Sequence, residues 1–291
     1  MSIVVLRFIE NLNLREPRMS HHESNDERSD AQPDLDRVLE VAVQAAQAGA
    51  EVLMQHLGNV VVMQKSSQNL VTQADLESEE VIRQLIYQAF PEHQFLGEEG
   101  ISPVSTDADE LWIVDPLDGT NNYAHGIPQF CVSIAFARRG SVQVGVVLDP
   151  HRHELFTAVR GAGACLNGIP IRVSTRAALN ESIIATGFYY DRGEMMERTL
   201  AAIRSLFGRN IRGIRRFGAA AIDQCWVACG RFEGFFEYQL AAWDYAAGSL
   251  IVAEAGGRAA DRQGAALQLV SRSLIVANAL VFDELCATVR W

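Results

Sequence analysis

At 291 residues the chain has room for one large domain or two closely packed halves, and with 48% apolar and 21% charged residues it has the make-up of a globular protein, not a disordered or fibrous one. A formal net charge of −11 argues against general nucleic-acid binding, which needs clustered Lys and Arg against the phosphate backbone. A small phosphorylated substrate stays compatible on one condition: carboxylates repel phosphate unless divalent cations stand between them, so an acidic phosphate enzyme implies bound metal.

Residues 1–33 differ from the rest. A short apolar start gives way to the polar stretch 20–30, which cannot bury enough surface to order itself, so a flexible tail is expected there. From Asp34 the three-and-four spacing of Val38, Leu39, Val41, Ala42, Ala45, Ala46, Val52, Leu53 and Leu57, with Gly49 on the same stripe, predicts an amphipathic helix stopping near Gly58. A β-rich stretch at 60–63 follows, then a helix over 75–90 closed by Pro91, and a short strand, Phe95-Leu96, ending in Gly97-Glu98-Glu99-Gly100. The run 111–114 is a buried-strand signature that delivers Asp115, after which Gly119-Thr120-Asn121-Asn122 opens a helical turn. Strands are expected at 130–138, 141–149 and 153–158, making the middle a mostly antiparallel sheet. After residue 180 the pattern alternates: strand 183–186, helix 193–207, strand 210–216, helix 218–229, strand 232–237, helix 244–255, strands near 267–277, and a last helix near 280–289. The expected class is α+β, in layers. The five cysteines form no CxxC pair and no apolar run is long enough to span a bilayer, so the expectation is a cytoplasmic protein with reduced thiols and no membrane partner.

The chemistry centres on Asp115-Pro116-Leu117-Asp118-Gly119-Thr120. Two carboxylates on one tight turn suit magnesium, which takes oxygen ligands and keeps waters or substrate phosphate in the rest of its shell. The Leu117 carbonyl lies between them, and the amides of Gly119 and Thr120 open a turn toward an anion. A bare DxxDG also caps turns, and Thr72, Asp75 and Asp244 are all ordinary N-cap residues, so each piece alone has a purely structural reading. Their combination argues for a site.

Four segments in order, VTQAD (71–75), GEEG (97–100), WIVDPLDGTNNY (112–123) and WDYAAGSLIVAEAGG (243–257), resemble the inositol monophosphatase family of lithium-sensitive, magnesium-dependent phosphatases, over about residues 35–290. The resemblance implies the layered α/β/α/β/α sandwich shared with fructose-1,6-bisphosphatases. It divides the chain into the tail 1–33 and a phosphatase domain 34–291, with a metal-binding half at 34–180 and a substrate-side half at 181–291. It implies two to three Mg2+ ions: Glu98, Asp115 and the Leu117 carbonyl on the first, Asp115, Asp118 and Asp244 on the second, and a weaker third near Glu98. Glu98, Asp75 and Thr120 would be catalytic, the last two positioning and activating a water, with Thr72 on the same segment. Gly119, Thr120 and Asp118 would hold the phosphate, and Glu237 and Ala220 would face the substrate alcohol.

The implied reaction is hydrolysis of a small phosphate monoester, foremost a myo-inositol monophosphate, by a homodimer. Histidinol phosphate and fructose 1,6-bisphosphate are the alternative substrates, because one metal core serves them all. Only 16 residues, 99–114, separate Glu98 from Asp115, too few for the insertion of the nucleotide phosphatases. Ala241 stands where the animal enzymes carry a His, and Asn121 replaces a Thr, which bears on the choice of alcohol. An alternative of another class is a non-catalytic regulator that binds protein partners through its acidic surface.

Overall fold

The computed structural model describes residues 34–59, 62–64, 70–100, 104–188 and 192–291; the tail expected over 1–33 lies outside the described residues. The stripe Val38, Val41, Ala42, Ala45, Ala46 and Leu53 forms the buried face of helix α1 (Leu35–His56). After a small antiparallel pair, β1 (Val62–Gln64) and β2 (Leu70–Thr72), comes helix α2 (Gln73–Ala89). It begins two residues before the expected Asp75 because Thr72 is its N-cap, which makes Asp75 the third helical residue.

A seven-stranded sheet follows: β3 (Gln94–Gly97), β4 (Leu111–Asp118), β5 (Cys131–Arg138), β6 (Ser141–Asp149), β7 (Glu154–Val159), β8 (Gly163–Leu166) and β9 (Ile169–Pro170), in sequential order. Only β3 and β4 pair in parallel; the others are antiparallel. A short helix, α3 (Thr120–Ala124), sits between β4 and β5. Every residue of β4 is buried, as a continuous apolar run requires of a central strand covered on both faces. Two departures from expectation occur here. Strand β4 does not stop at Asp115 but runs through Pro116 to Asp118, with an irregularity that sets two residues, Pro116 and Leu117, opposite one of β5, Val132. Strands β8 and β9 extend the sheet beyond the last strand expected in it, 153–158.

The rest of the chain builds β10 (Ile183–Thr186), helix α4 (Glu194–Gly208), β11 (Gly213–Arg215), helix α5 (Ala220–Ala228), β12 (Gly234–Glu237), helix α6 (Ala242–Glu254), β13 (Gly257–Ala260), β14 (Leu274–Asn278) and helix α7 (Phe282–Val289). The five strands are ordered β11-β10-β12-β14-β13, with β10 parallel to both neighbours and β14 antiparallel to its own. The expected strand over 267–273 is instead a loop; its apolar Leu267 and Leu269 mimic a strand because they cover the central core, and the Tyr245 hydroxyl ties it down by donating to the carbonyls of Gln268 and Ser271 at 2.8 and 2.9 Å.

The layers are α1 and α2, the seven-stranded sheet, α5 and α6, the five-stranded sheet, then α4 and α7. Composition follows position. Helix α5 is buried along its whole length and α6 almost so, which demands helices that are apolar all round, whereas outer α4 buries only Thr199, Ala202 and Leu206. All five cysteines are free thiols, three of them buried, and serve the core. No described helix is long and apolar enough to cross a membrane.

Candidate active site

The parallel pairing of β3 with β4 aligns Gly97 with Val114, so the next residue on each strand, Glu98 and Asp115, come to lie side by side. The Glu98 amide continues the ladder by donating to the Val114 carbonyl at 3.2 Å. Asp115 is almost completely buried, and its Oδ1 accepts from the Leu117 amide at 3.0 Å, a local bond that shapes the irregular end of β4. Gly119 then turns the chain with φ +97°, where a Cβ would lie 2.7 Å from the Gln129 carbonyl; only glycine suits both conditions. The turn brings the Thr120 hydroxyl within hydrogen-bond distance of the Leu117 carbonyl, 3.1 Å, and of Asp75 Oδ1, 3.2 Å.

The structural readings of these acids turn out to hold as well, and they are how the site is positioned. Thr72 and Asp75 form a reciprocal cap on α2: the Thr72 amide and hydroxyl both donate to Asp75 Oδ2, at 2.9 and 2.5 Å, leaving Oδ1 for Thr120. Asp244, in the first turn of α6, accepts from the Ala241 amide at 2.7 Å. Asp118 spans the two sheets' territories: Oδ1 accepts from the Ala220 amide at 3.1 Å and Oδ2 from the Ala221 amide at 2.7 Å, which anchors the start of α5 to the end of β4. A carboxylate offers about four acceptor sites, so these bonds still leave lone pairs for a cation.

Glu98, Asp115, Asp118 and Asp244 line one end of a cavity of about 290 Å3, with the Leu117, Gly119 and Thr120 segment along its floor. Burial and mutual repulsion dominate its electrostatics. Asp115 is pushed well above the usual carboxylate range by burial, with Glu98, Asp118 and Asp244 adding to the effect. Asp244 is raised likewise, by burial and then by Glu98. Burial lifts Asp118 to about 6 against the pull of the Ala221 and Ala220 amides, and lifts Asp75 to about 6 against its bonds from Thr72. Four carboxylates that each disfavour the others' charge fit hard divalent cations, whose charge inverts this logic. Among the described residues no three His, Cys, Asp or Glu side chains are gathered closely enough to hold a metal ion by themselves, so the case for a cation rests on the carboxylates' shared cavity and their chemistry.

Glu237, where the resemblance places the substrate alcohol, lines the same cavity at the end of β12; burial raises its carboxyl to about 8 while Arg216 pulls it down and Asp118 adds to the rise. It packs directly on Gly187, at a point where any Cβ would collide with its carboxylate. Ala220 faces the same cavity. The structure thus gathers Glu98, Asp115, Leu117, Asp118, Gly119, Thr120, Ala220, Glu237 and Asp244 around one cavity, with Asp75 bonded to Thr120 just beside it. Of the aromatic segment 187–192, Phe188 lines the cavity, and 189–191 lie outside the described residues.

Sequence reasoning missed several supports. Asn122 donates to the carbonyls of Phe217, 2.8 Å, and Gln129, 2.9 Å, and so clamps the approach to α5 onto the metal-motif turn. Gln224 donates to the carbonyls of Ala220, 2.9 Å, and Asp244, 2.8 Å, stapling α5 to α6. Arg216 and Arg272, two cations in an acidic cavity, were missed as well. Asn122 sits inside a motif and was open to notice; the others depend on partners from distant elements.

Comparison with known proteins agrees with this geometry. Residues 34–291 match the model of the inositol monophosphatase family. An inositol-1-monophosphatase of Rhizobium meliloti is 43% identical over 245 residues, 83% of this chain and 91% of that one. The Nus factor SuhB of Pseudomonas aeruginosa is 40% identical over 260 residues, covering 87% and 96%. The crystal structure of the extragenic suppressor protein suhB from Bartonella henselae superposes with a TM-score of 0.82 at 40% identity, over 87% of this chain and 98% of that one. The chain belongs to the inositol monophosphatase family.

Proposed function

We propose that the protein is a magnesium-dependent phosphoric monoester hydrolase acting on a small polyol phosphate, with a myo-inositol monophosphate as the first substrate to consider. The observation that carries this reading is the convergence of Glu98, Asp115, Asp118 and Asp244 on one cavity end in mutually unfavourable charge states, beside a hydroxyl–carboxylate pair, Thr120 and Asp75. Glu98, Asp115 and the Leu117 carbonyl would hold one ion and Asp115, Asp118 and Asp244 another, with a weaker third near Glu98. Bound there, magnesium supplies a water of lowered pKa and neutralises the charge of the ester.

The chain's own groups do the rest. Thr120 Oγ1, held at 3.2 Å from Asp75 Oδ1, orients the nucleophilic water, and Asp75 takes its proton at Oδ1, its other oxygen being fixed by Thr72. The amides of Gly119 and Thr120 cradle the phosphate, whose attack proceeds in line with no covalent phosphoenzyme. Glu237 and Ala220 receive the alcohol. The relative named inositol-1-monophosphatase supports this substrate class. The working form is a cytoplasmic, lithium-sensitive homodimer with no membrane or nucleic-acid ligand.

The relatives named Nus factor SuhB favour a second reading, a regulatory role exerted by binding other proteins. Phosphate release from inositol, histidinol, sugar and nucleotide phosphates, with and without Mg2+ and Li+, decides between them. Mg2+-dependent, Li+-inhibited release from polyol esters is expected; release from none sinks the enzymatic reading in favour of the regulatory one.

A further inference from the structure

The cavity also carries two guanidinium groups that the phosphatase reading leaves without a task. Arg216 follows β11 and Arg272 precedes β14, both are exposed, and both line the cavity that also holds Glu237 and the metal-motif acids. Neither is engaged in an ion pair with a described residue, whereas Arg176, Arg231 and Arg258 are taken up by Glu233, Glu154 and Asp283. The placement of Arg216 is defined: its Nη1 lies against Gly218, where a Cβ would collide with it, and its charge acts on Glu237 and on buried Asp223 behind it. The first phosphate of a substrate is neutralised at the carboxylate end, so these cations are not needed for it. A guanidinium fork matches phosphate or carboxylate oxygens in a two-point contact that a neutral polyol cannot use in full.

Resting on the phosphatase reading, we infer that Arg216, assisted by Arg272, forms a second anion subsite, so that the preferred esters carry a further anionic group on the alcohol. The source of that anion, a second phosphate or a carboxylate, is open to separation by experiment. Neutral polyol monophosphates are then turned over less efficiently, and alcohols bearing an ammonium group are disfavoured by the two guanidinium charges.

The test compares mannitol 1-phosphate, 6-phosphogluconate and mannitol 1,6-bisphosphate in Mg2+, following phosphate release and, by calorimetry, binding. The proteins are the wild type, Arg216→Ala, Arg272→Ala and, as a charge control on outer α4, Arg204→Ala. The wild type is expected to favour one or both anionic esters over the neutral one in kcat/KM by about tenfold or more, the scale of one charge-assisted bidentate contact. Arg216→Ala collapses that ratio, chiefly through KM; Arg272→Ala reduces it less; Arg204→Ala leaves it in place. The arm that shows the preference identifies the anion. Equal use of all three esters by the wild type, or an equal change on all three in Arg216→Ala, overturns the subsite and leaves the phosphatase standing. Absence of release from these three and from the inositol, histidinol, sugar and nucleotide esters overturns the phosphatase reading instead, and the calorimetric ratio still decides the subsite: tighter binding of the anionic esters that is lost in Arg216→Ala upholds it, and equal binding ends it.

Discussion

At the carboxylate end of the cavity the functional groups stand on the most buried strand of the molecule: β4 has neighbours in the sheet on both sides and helices on both faces, and it holds Asp115 and Asp118 where solvent cannot screen them. At the alcohol end Glu237 sits at the tip of a four-residue strand and Arg216 in a connection, on a sheet whose members are short. At the first end the acids are buried and internally repulsive, which is why cations are proposed to complete them. The second is adjustable, and a loop glycine or an exposed guanidinium can change which alcohol fits without touching the metal site. Chemistry and specificity are therefore separable in this protein.

The largest effect that would sharpen this contrast is at β4. Asp115→Asn is expected to reduce phosphate release by a factor on the order of 10³ or more, because it removes an oxygen shared by both proposed ions. It should leave the melting temperature of the metal-free protein unchanged or higher, since it deletes a buried charge that burial and its neighbours oppose. Asp118→Asn should match it in activity but lose about 1–3 kcal/mol of stability, because the amides of Ala220 and Ala221 lose an anionic acceptor. Two variants of equal stability in denaturant titrations would contradict the anchoring role given to Asp118.

Next in size is the response to pH without metal. Asp75 and Asp118, raised to about 6, and Glu237, raised to about 8, are protonated more readily in the folded chain than in the unfolded one. Their contribution to stability is fully present below the ordinary carboxylate range and is lost as pH rises through 6 and then 8. Melting curves in chelator should fall steadily from pH 5 to 8.5, and added Mg2+ should restore most at the high end, where its ligands are already deprotonated. A flat or rising profile in chelator would show that burial does not hold these carboxyls above their ordinary range.

At the alcohol end smaller, selective changes are expected. Gly187→Ala displaces the Glu237 carboxylate, and KM for polyol esters should rise about tenfold while kcat changes little. Glu237→Gln keeps the shape and, because burial holds the carboxyl largely neutral below about 8, should cost only a few-fold near neutral pH. If either lowered kcat as strongly as Asp115→Asn, the two ends would not be separable.

The sequence by itself determined the layered class, most helices, and the carboxylate cluster, because the acids of β4 lie within one short motif and burial makes the strand around them uniformly apolar. It also placed Glu98 and Asp244 in further motifs of the same kind. Tertiary structure alone decided that Asp118 would brace α5, that Asn122 and Gln224 would lock the two sheets' connections together, and that β8 and β9 would lengthen the sheet. It alone set Gly187 and Arg216 near Glu237 and brought Arg272 to the same cavity. The reason is range: a strand's burial and a helix cap are written in neighbouring residues, whereas a cavity wall assembled from separate loops has no local period or spacing to reveal it.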